Sequence, residues 1–228
     1  MAALSTVRIV SVLPELLGTY GDRGNVVTLC HRLRVRGIPA DVVEVHPGDT
    51  IPDDGDLYLL GGGEDRSQVV ATQLIGRGLE KPVTREATVL AVCAGMQIMG
   101  GSFTDSGGSV HSGLGLLDVS TTPLESRAVG EVVVRSPLVS QPLVGFENHR
   151  GATYLGTEAR PLGMCDTGVG NGDGRDGVIQ GSIFGTYLHG PVLALNPEFA
   201  DFLLSRVVGS LDPMDDRWIE EARYARLR

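Results

Sequence analysis

The chain has 228 residues and an apolar fraction of 42%, which is enough to bury the core of one domain. Its formal net charge of −9 argues against a nucleic-acid-binding surface. The odd number of cysteines, three, argues against a disulfide framework and favours a reducing, cytoplasmic compartment. No apolar run approaches the roughly 18 residues of a membrane span, and no basic region precedes the apolar N-terminus as in a signal peptide.

The first half of the chain alternates between predicted strands and predicted helices. Its strand-like runs are short and rich in apolar or β-branched residues, which is typical of strands buried on both faces. Such alternation predicts right-handed βαβ units, and therefore an α/β fold with a mostly parallel central sheet flanked by helices. The predicted strands cover residues 7–13, 40–45, 56–60 and 87–92, and the predicted helices cover about 25–36 and 65–79.

The second half of the chain is rich in strand-like segments that glycine and proline interrupt. It predicts antiparallel strands added to the sheet in the C-terminal half, followed by a helix at 197–208. Asn196 is the predicted N-cap of that helix, and Pro197 takes its first position. We predict one domain over residues 1–228, with its core at about 7–204 and a C-terminal helical extension at about 210–228.

Cys93 ends the fourth predicted strand, within the stretch LAVCAGMQIMG. Functional groups of open α/β sheets gather beyond the carboxyl ends of the strands. Ala94 and Gly95 allow a tight turn into a helix, whose first N–H groups would stabilise a thiolate and a developing oxyanion. The pattern predicts a nucleophilic thiol; a buried structural cysteine is the alternative.

Two further motifs favour the nucleophile. The glycine-rich stretch GGGED, residues 61–65, follows another predicted strand, and its backbone can offer N–H groups to an oxyanion. The stretch GTYLHGP, residues 185–191, places His189 after a strand-like run. An imidazole at such a position is a candidate base for the thiol, although it is distant in sequence.

These three motifs, in this order, resemble those of class I glutamine amidotransferases of the cobyric-acid-synthase-like branch. The stretches LPELLGTYGDRGN and GFENHRG narrow the resemblance to the GatD family of glutaminase subunits. The resemblance implies that Cys93 attacks the side-chain amide of glutamine and that His189 transfers the protons. It also implies an oxyanion hole of backbone N–H groups near Gly62 and Ala94, and Arg127 as a contact for the substrate. For Arg127, a solvated side chain is the alternative.

The chain departs from the class in one respect. Many class I amidotransferases carry a glutamate two residues after the histidine, where this chain has Pro191. A Cys–His dyad is one solution, and an acid from elsewhere in the chain or from a partner is another; we hypothesise the partner. Asp22, Arg23 and Asn25 follow the first predicted strand, either as a helix-starting turn or as a surface that docks the partner.

Neither a P-loop nor a dinucleotide-binding glycine pattern is present, so we predict no cofactor in this chain. The loop NGDGRD lacks the glutamate that closes a calcium site, and no Cys/His spacing indicates zinc. The resemblance implies a MurT-like Mur ligase partner that carries ATP and Mg²⁺ and uses the ammonia to amidate the D-glutamate α-carboxyl of lipid II to D-isoglutamine. The alternatives are a cobalamin-pathway amidotransferase, a DJ-1-like cysteine hydrolase or redox sensor, and a catalytically dead binding subunit.

Overall fold

The computed structural model describes residues 5–226, except the side chains of 225 and 226. The two ends of the predicted domain, including the last two residues of the predicted helical extension, lie outside that range. The strands within it are β1 (Val7–Val12), β2 (Ala40–Val45), β3 (Leu57–Leu60), β4 (Thr88–Val92), β5 (Ser102–Thr104), β6 (Val110–Ser112), β7 (Val119–Arg135), β8 (Leu143–Leu155), β9 (Gly163–Thr167), β10 (Arg175–Asp176), β11 (Val178–Gln180) and β12 (Ile183–Thr186). The helices are α1 (Arg23–Val35), α2 (Asp65–Ile75), α3 (Glu80–Thr84), α4 (Ala94–Met99), α5 (Val192–Leu195), α6 (Pro197–Val208) and α7 (Arg217–Arg226).

The central sheet has six strands in the order β11-β12-β4-β3-β1-β2. All neighbouring strands in it are parallel except β11, which pairs with β12 in the antiparallel sense. Strands β3 and β4 lie in the middle and are buried along their whole length, whereas β2 lies at an edge and is largely exposed. This arrangement confirms the predicted α/β fold with a mostly parallel sheet flanked by helices.

Most of the predicted antiparallel strands form a second sheet instead of extending the central one. Its order is β10-β9-β7-β5-β6, with β8 paired to β7 in a long antiparallel hairpin. The register of that hairpin shifts between Pro123 and Ala128, so an irregular segment interrupts β7. Within residues 5–226, only β11 adds an antiparallel strand to the central sheet. Strand β12, which was expected among the antiparallel strands, is parallel to β4.

Two helices differ in detail from the prediction. The predicted helix at 65–79 is divided, because Gly76 takes a positive φ of 49° and ends α2 before α3 begins. Helix α6 begins at Pro197 as predicted, but Asn196 does not cap it with its side chain. Its side chain instead exchanges hydrogen bonds with the backbone of Val144, at 2.9 and 2.8 Å, and so joins the start of α6 to β8.

The C-terminal segment is held to the body by an ion cluster around the buried side chain of Arg32. Arg32 of α1 pairs with Asp201 of α6 and with Asp216, which immediately precedes α7. Arg36 adds a second ion pair to Asp201.

Between residues 5 and 226, none of the helices combines the length and apolarity that a membrane span requires.

Candidate active site

Cys93 lies at a sharp turn between β4 and α4. Its φ of 52° and ψ of −110° are uncommon for a residue other than glycine, and such strain is frequent at functional sites. Gly95 permits the turn, because a Cβ there would lie 2.7 Å from the carbonyl oxygen of Leu60. Cys93 is 7% exposed and lines a cleft of about 230 Å³. The predicted strand–turn–helix is therefore present and presents the sulfur to this cleft.

His189 reaches the same edge of the central sheet from the neighbouring strand. Since β12 is parallel to β4, with Thr186 opposite Val92, both strands end at one edge. The imidazole is fully buried. Its backbone is paired to Phe146 of β8: the His189 N–H donates to the Phe146 carbonyl at 2.7 Å, and the Phe146 N–H donates back at 3.1 Å. The topology thus delivers two residues 96 positions apart to one place.

The carboxylate on the imidazole belongs to this chain. His189 Nδ1 lies 3.1 Å from each carboxylate oxygen of Asp22, whose side chain is 1% exposed. Asp22 was considered as a helix cap, but its side chain makes no capping hydrogen bond to α1. The hypothesis that a partner supplies this carboxylate is therefore corrected: the loop between β1 and α1 fills the position.

The surroundings of His189 favour its protonated form. Burial lowers the pKa of this imidazole, but the hydrogen bond to Asp22 and the proximity of Cys93 outweigh burial and raise the pKa to about 10. With Nδ1 held by Asp22, Nε2 is the nitrogen left for the thiol. This buried atom has no hydrogen-bond partner among residues 5–226. The arrangement is that of a base whose tautomer is fixed by a carboxylate.

The glycine-rich turn after β3 supplies one candidate oxyanion donor, but at a different residue from the one expected. The N–H of Gly62 donates to Asp22 Oδ2 at 2.7 Å and is therefore engaged. The N–H groups of Gly63 and Ala94 have no acceptor within the described part of the chain, and both residues line the cleft with Cys93. Gly62 has a steric role instead, because a Cβ there would lie 2.6 Å from His189 Cε1.

Arg127 lies in the irregular segment of β7 and lines the cleft. Its Nε donates to Asn148 Oδ1 at 2.5 Å, and its Nη2 donates to the hydroxyl of Tyr20 at 3.2 Å. The Nη1 group makes no hydrogen bond to any described residue. The guanidinium is therefore held on one side and free on the other, where a carboxylate can bind.

Charges of both signs line the cleft. Glu64 and Asp65, at the start of α2, contribute carboxylates, while Arg127 and Arg150 contribute guanidinium groups from β7 and β8. His149 also lines the cleft. Its Nε2 lies 3.3 Å from Glu147 Oε2, and its Nδ1 lies 3.1 Å from the carbonyl oxygen of Gly151. A cleft with both signs of charge suits a zwitterionic amino acid.

Two glutamines of the cleft were not predicted. Gln68 of α2 donates from Nε2 to Gln97 Oε1 at 2.8 Å, and Gln97 of α4 donates to the hydroxyl of Tyr187 at 3.0 Å. Tyr187 in turn shares a hydrogen bond of 2.7 Å with Thr153. The pair therefore connects the cleft to the second sheet. No local sequence signal distinguishes these glutamines from ordinary helix-surface residues.

The segment Asp22–Asn25 holds the chain just after His189. Gly24 packs so closely that a Cβ would lie 2.3 Å from Pro191 Cγ. Asn25 Oδ1 accepts a hydrogen bond of 2.9 Å from the N–H of Leu193. Asp22, Arg23 and Asn25 are the predicted docking surface for a partner. Of these three residues only Arg23 is exposed, and it pairs with Glu44. The sequence signal that places this segment at the site is its position, because it follows a strand that ends at the same sheet edge as Cys93.

Comparison with known proteins identifies the family. Residues 8–197 match the CobB/CobQ-like glutamine amidotransferase domain. The chain belongs to this family. It is therefore a glutamine amidotransferase. Cys93, His189 and the glycine-rich turn after β3 lie within the matched residues. Among its relatives is the lipid II isoglutaminyl synthase (glutamine-hydrolyzing) subunit GatD of Staphylococcus aureus, 35% identical over 85% of this chain and 81% of the relative.

Other relatives share the sequence over part or most of its length, and two solved structures share the fold. The GatD subunit of Streptococcus pneumoniae is 31% identical over 82% of this chain and 74% of the relative. Cobyric acid synthase of Brucella abortus is 36% identical, but over 66% of this chain and 32% of that protein. A glutamine amidotransferase crystal structure superposes with a TM-score of 0.57 at 18% identity, covering 88% of this chain and 99% of the other. The glutaminase domain of Trypanosoma brucei CTPS superposes with a TM-score of 0.54 at 13% identity, covering 91% and 96%. These two structures show the shared fold.

Proposed function

We propose that this CobB/CobQ-like amidotransferase is the glutaminase subunit of a lipid II isoglutaminyl synthase. It hydrolyses glutamine to glutamate and ammonia and delivers the ammonia to a MurT-like ligase. The observation that carries the chemistry is the buried His189: its Nδ1 is held by Asp22, and its unpaired Nε2 is near the thiol of Cys93. The similarity to two GatD subunits supports the pathway.

Because His189 is held in its protonated form, the thiol proton already resides on Nε2 and Cys93 is a thiolate paired with the imidazolium. The sulfur attacks the side-chain carbonyl carbon of glutamine. The N–H groups of Ala94 and Gly63 stabilise the oxyanion of the tetrahedral intermediate. The imidazolium returns its proton to the departing nitrogen, which leaves as ammonia, and a thioester remains. Water, deprotonated by His189, hydrolyses the thioester, releases glutamate and restores the thiolate.

The cleft orients glutamine by its charges. Arg127 binds the α-carboxylate through Nη1 and the second hydrogen of Nη2, in the paired geometry that a guanidinium offers. Glu64 and Asp65 lie where a carboxylate can attract the α-ammonium group. The amide of the substrate then extends towards Cys93.

The amidation step belongs to a partner. Forming an amide from a carboxylate and ammonia requires an activated carboxylate, and this sequence has no P-loop for ATP. We expect the MurT-like partner to bind ATP, Mg²⁺ and the lipid-linked substrate, and to amidate the D-glutamate α-carboxyl of lipid II. A cytoplasmic location fits the three free cysteines.

A corrin amidotransferase is the second candidate, because cobyric acid synthase shares 36% identity over the matched region. That match covers 32% of the synthase, whereas matches to GatD cover 81% and 74% of the relatives. The extent of the match favours the lipid II enzyme.

The decisive experiment reconstitutes this chain with a MurT-like ligase, ATP and lipid II, and supplies either glutamine or ammonium as the nitrogen source. The wild type should form D-isoglutamine from both sources. Cys93→Ala should lose the glutamine-dependent reaction and keep the ammonium-dependent one, while the matched control Cys30→Ala should keep both. Glutamine-dependent amidation by Cys93→Ala would disprove the role of the thiol, and amidation of a corrin carboxylate instead of lipid II would disprove the pathway.

A further inference from the structure

The loop between β1 and α1 contacts each part of the proposed active site. Its Asp22 holds His189, and the N–H of Thr19 donates to the carbonyl of Gly62 at 3.1 Å. Its backbone also packs tightly against the glycine-rich turn, since a Cβ on Gly63 would lie 2.7 Å from the carbonyl oxygen of Leu16. This loop therefore supports both the base and the oxyanion donors.

Tyr20 is the residue of this loop that lies between the base and the cleft. Its ring packs edge-on against the ring of His189, with centroids 4.9 Å apart and an interplanar angle of 67°. The tyrosine lines the cleft and is 37% exposed, whereas His189 has no exposed surface. Its hydroxyl accepts the hydrogen bond from Arg127 Nη2. One side chain thus contacts both the imidazole and the guanidinium.

The backbone of Tyr20 is also unusual. Its φ of 62° lies in the left-handed region, which a bulky aromatic residue rarely adopts. Conformations of this kind persist where surrounding contacts impose them, and they concentrate at functional sites. Here the conformation precedes Asp22 by two residues, so the ring and the carboxylate of one loop contact the same imidazole.

We propose that Tyr20 is a positioning residue that couples substrate recognition to catalysis: its ring fixes His189 against Asp22, and its hydroxyl fixes Arg127 for the α-carboxylate of glutamine. The inference rests on the proposed glutaminase function. The two groups of Tyr20 have different roles: the ring acts on the chemical step, and the hydroxyl acts on substrate binding.

Kinetics of the full chain with glutamine distinguish the two roles. Tyr20→Phe should raise KM about 2- to 10-fold, the effect of one hydrogen bond, and leave kcat within about twofold. Tyr20→Ala should also lower kcat by about 10-fold or more, and Tyr20→Leu provides a second variant that keeps apolar bulk. In the Arg127→Ala background, Tyr20→Phe should have no further effect on KM. Tyr154→Ala, an exposed tyrosine of β8, is the matched control.

Alkylation of Cys93 by iodoacetamide tests the ring without using glutamine. If the ring positions the base, Tyr20→Ala should slow alkylation about fivefold or more, and Tyr20→Phe should match the wild type. Faster alkylation of Tyr20→Ala would show that the ring is only a cover and would overturn the proposal, as would unchanged kcat and alkylation. A wild type whose alkylation depends on His189 but which releases no glutamate would instead overturn the proposed function and leave the role of Tyr20 to be decided by alkylation.

Discussion

Two buried clusters of charge join distant parts of this chain, and they are completed differently. In the Arg32 cluster, the guanidinium donates four hydrogen bonds of 2.6 to 2.9 Å to the carboxylates of Asp201 and Asp216, and each of its three nitrogens is used. In the His189 cluster, Asp22 holds Nδ1, but the buried Nε2 has no partner among the described residues.

The difference separates stabilisation from chemistry. A buried charge whose nitrogens are all paired holds segments together, and here it attaches the segment before α7 to α1 and α6. A buried nitrogen without a partner has an energetic cost and needs a reason, of which a catalytic role is one. For His189 the reason is the adjacent thiol. The clusters should therefore respond to mutation in opposite ways, one through stability and the other through rate.

The largest effect is expected at the base. Replacing His189 with alanine should lower glutamine hydrolysis by about 10⁴-fold, because the thiol loses its proton acceptor and the leaving nitrogen loses its proton donor. Glutamate release by the purified chain measures this loss, and His46→Ala, at an exposed position, is the matched control. Activity of His189→Ala within 10-fold of the wild type would contradict the assignment.

Asp22→Asn should have the next largest effect, a loss of roughly 10²- to 10⁴-fold in kcat, because an amide favours the wrong tautomer of the imidazole. Saturation kinetics should be measured with and without the MurT-like partner. If the partner supplied the acid, the variant would approach wild-type kcat in the complex, and the intramolecular assignment would fail. Asp166→Asn removes an exposed carboxylate and is the control.

Cys93 and Asp22 show what the sequence could and could not predict. The turn at Cys93 was predictable because the strand, the cysteine and the small residues that follow it are contiguous. Asp22 was not, since it acts on an imidazole 167 positions away, and its local setting is that of a helix start. A glycine-rich turn predicts available N–H groups, but only packing shows that the N–H of Gly62 is engaged and that of Gly63 is not.

The fold was predictable to a similar extent. Continuous β-branched runs predicted the buried parallel strands, because such runs are stable only when covered on both faces. The strand-like segments of the second half, interrupted by glycine and proline, predicted antiparallel strands, but pairing over long sequence separations decided that most of them form their own sheet. The same pairing placed β12 beside β4, which no local pattern specified.

Breaking the other cluster should affect stability. Arg32→Ala removes the charged hydrogen bonds to two partly exposed carboxylates, one of which keeps its pair with Arg36, and should lower the free energy of unfolding by about 1.5–3 kcal/mol, measured by urea denaturation. At a temperature where the variant is folded, kcat/KM for glutamine should stay within about twofold of the wild type. Arg77→Ala, which breaks an exposed ion pair, should change stability little. If Arg32→Ala were as stable as the wild type but impaired in catalysis, the Arg32 cluster would act through rate and not through stability, which would contradict the distinction between the two clusters.

Arg127→Ala should raise KM for glutamine by roughly 10- to 100-fold, the range for a hydrogen-bonded charge, and change kcat by less than about threefold. Arg127→Lys should fall between the two because it keeps the charge and loses the paired geometry. Steady-state kinetics provide the test, with the exposed Arg135→Ala as control. A fall in kcat at unchanged KM would place Arg127 in the chemical step instead.

A buried carboxylate outside both clusters, Asp176, accepts hydrogen bonds from Thr186 Oγ1 at 2.6 Å and from the N–H of Tyr187 at 3.1 Å. Burial raises its pKa to about 6. Between about pH 4 and 6 the folded chain keeps a proton that the unfolded chain releases, so this residue makes stability fall as pH rises. Asp176→Asn should flatten that dependence by on the order of 2 kcal/mol between pH 4 and 6, measured by urea unfolding at pH 4, 5 and 6. Parallel curves for the two proteins would exclude the effect.

The central claim is that one thiol, with its base and acid in the same chain, forms a thioester with glutamine. Mass spectrometry after incubation with a glutamine-analogue electrophile, 6-diazo-5-oxo-L-norleucine, tests it most directly. We expect modification of Cys93 alone among the three cysteines, without any partner, suppressed by excess glutamine and strongly slowed in His189→Ala and Asp22→Asn. Modification of Cys30 or Cys165 in place of Cys93, or labelling of Cys93 that requires the partner, would contradict it.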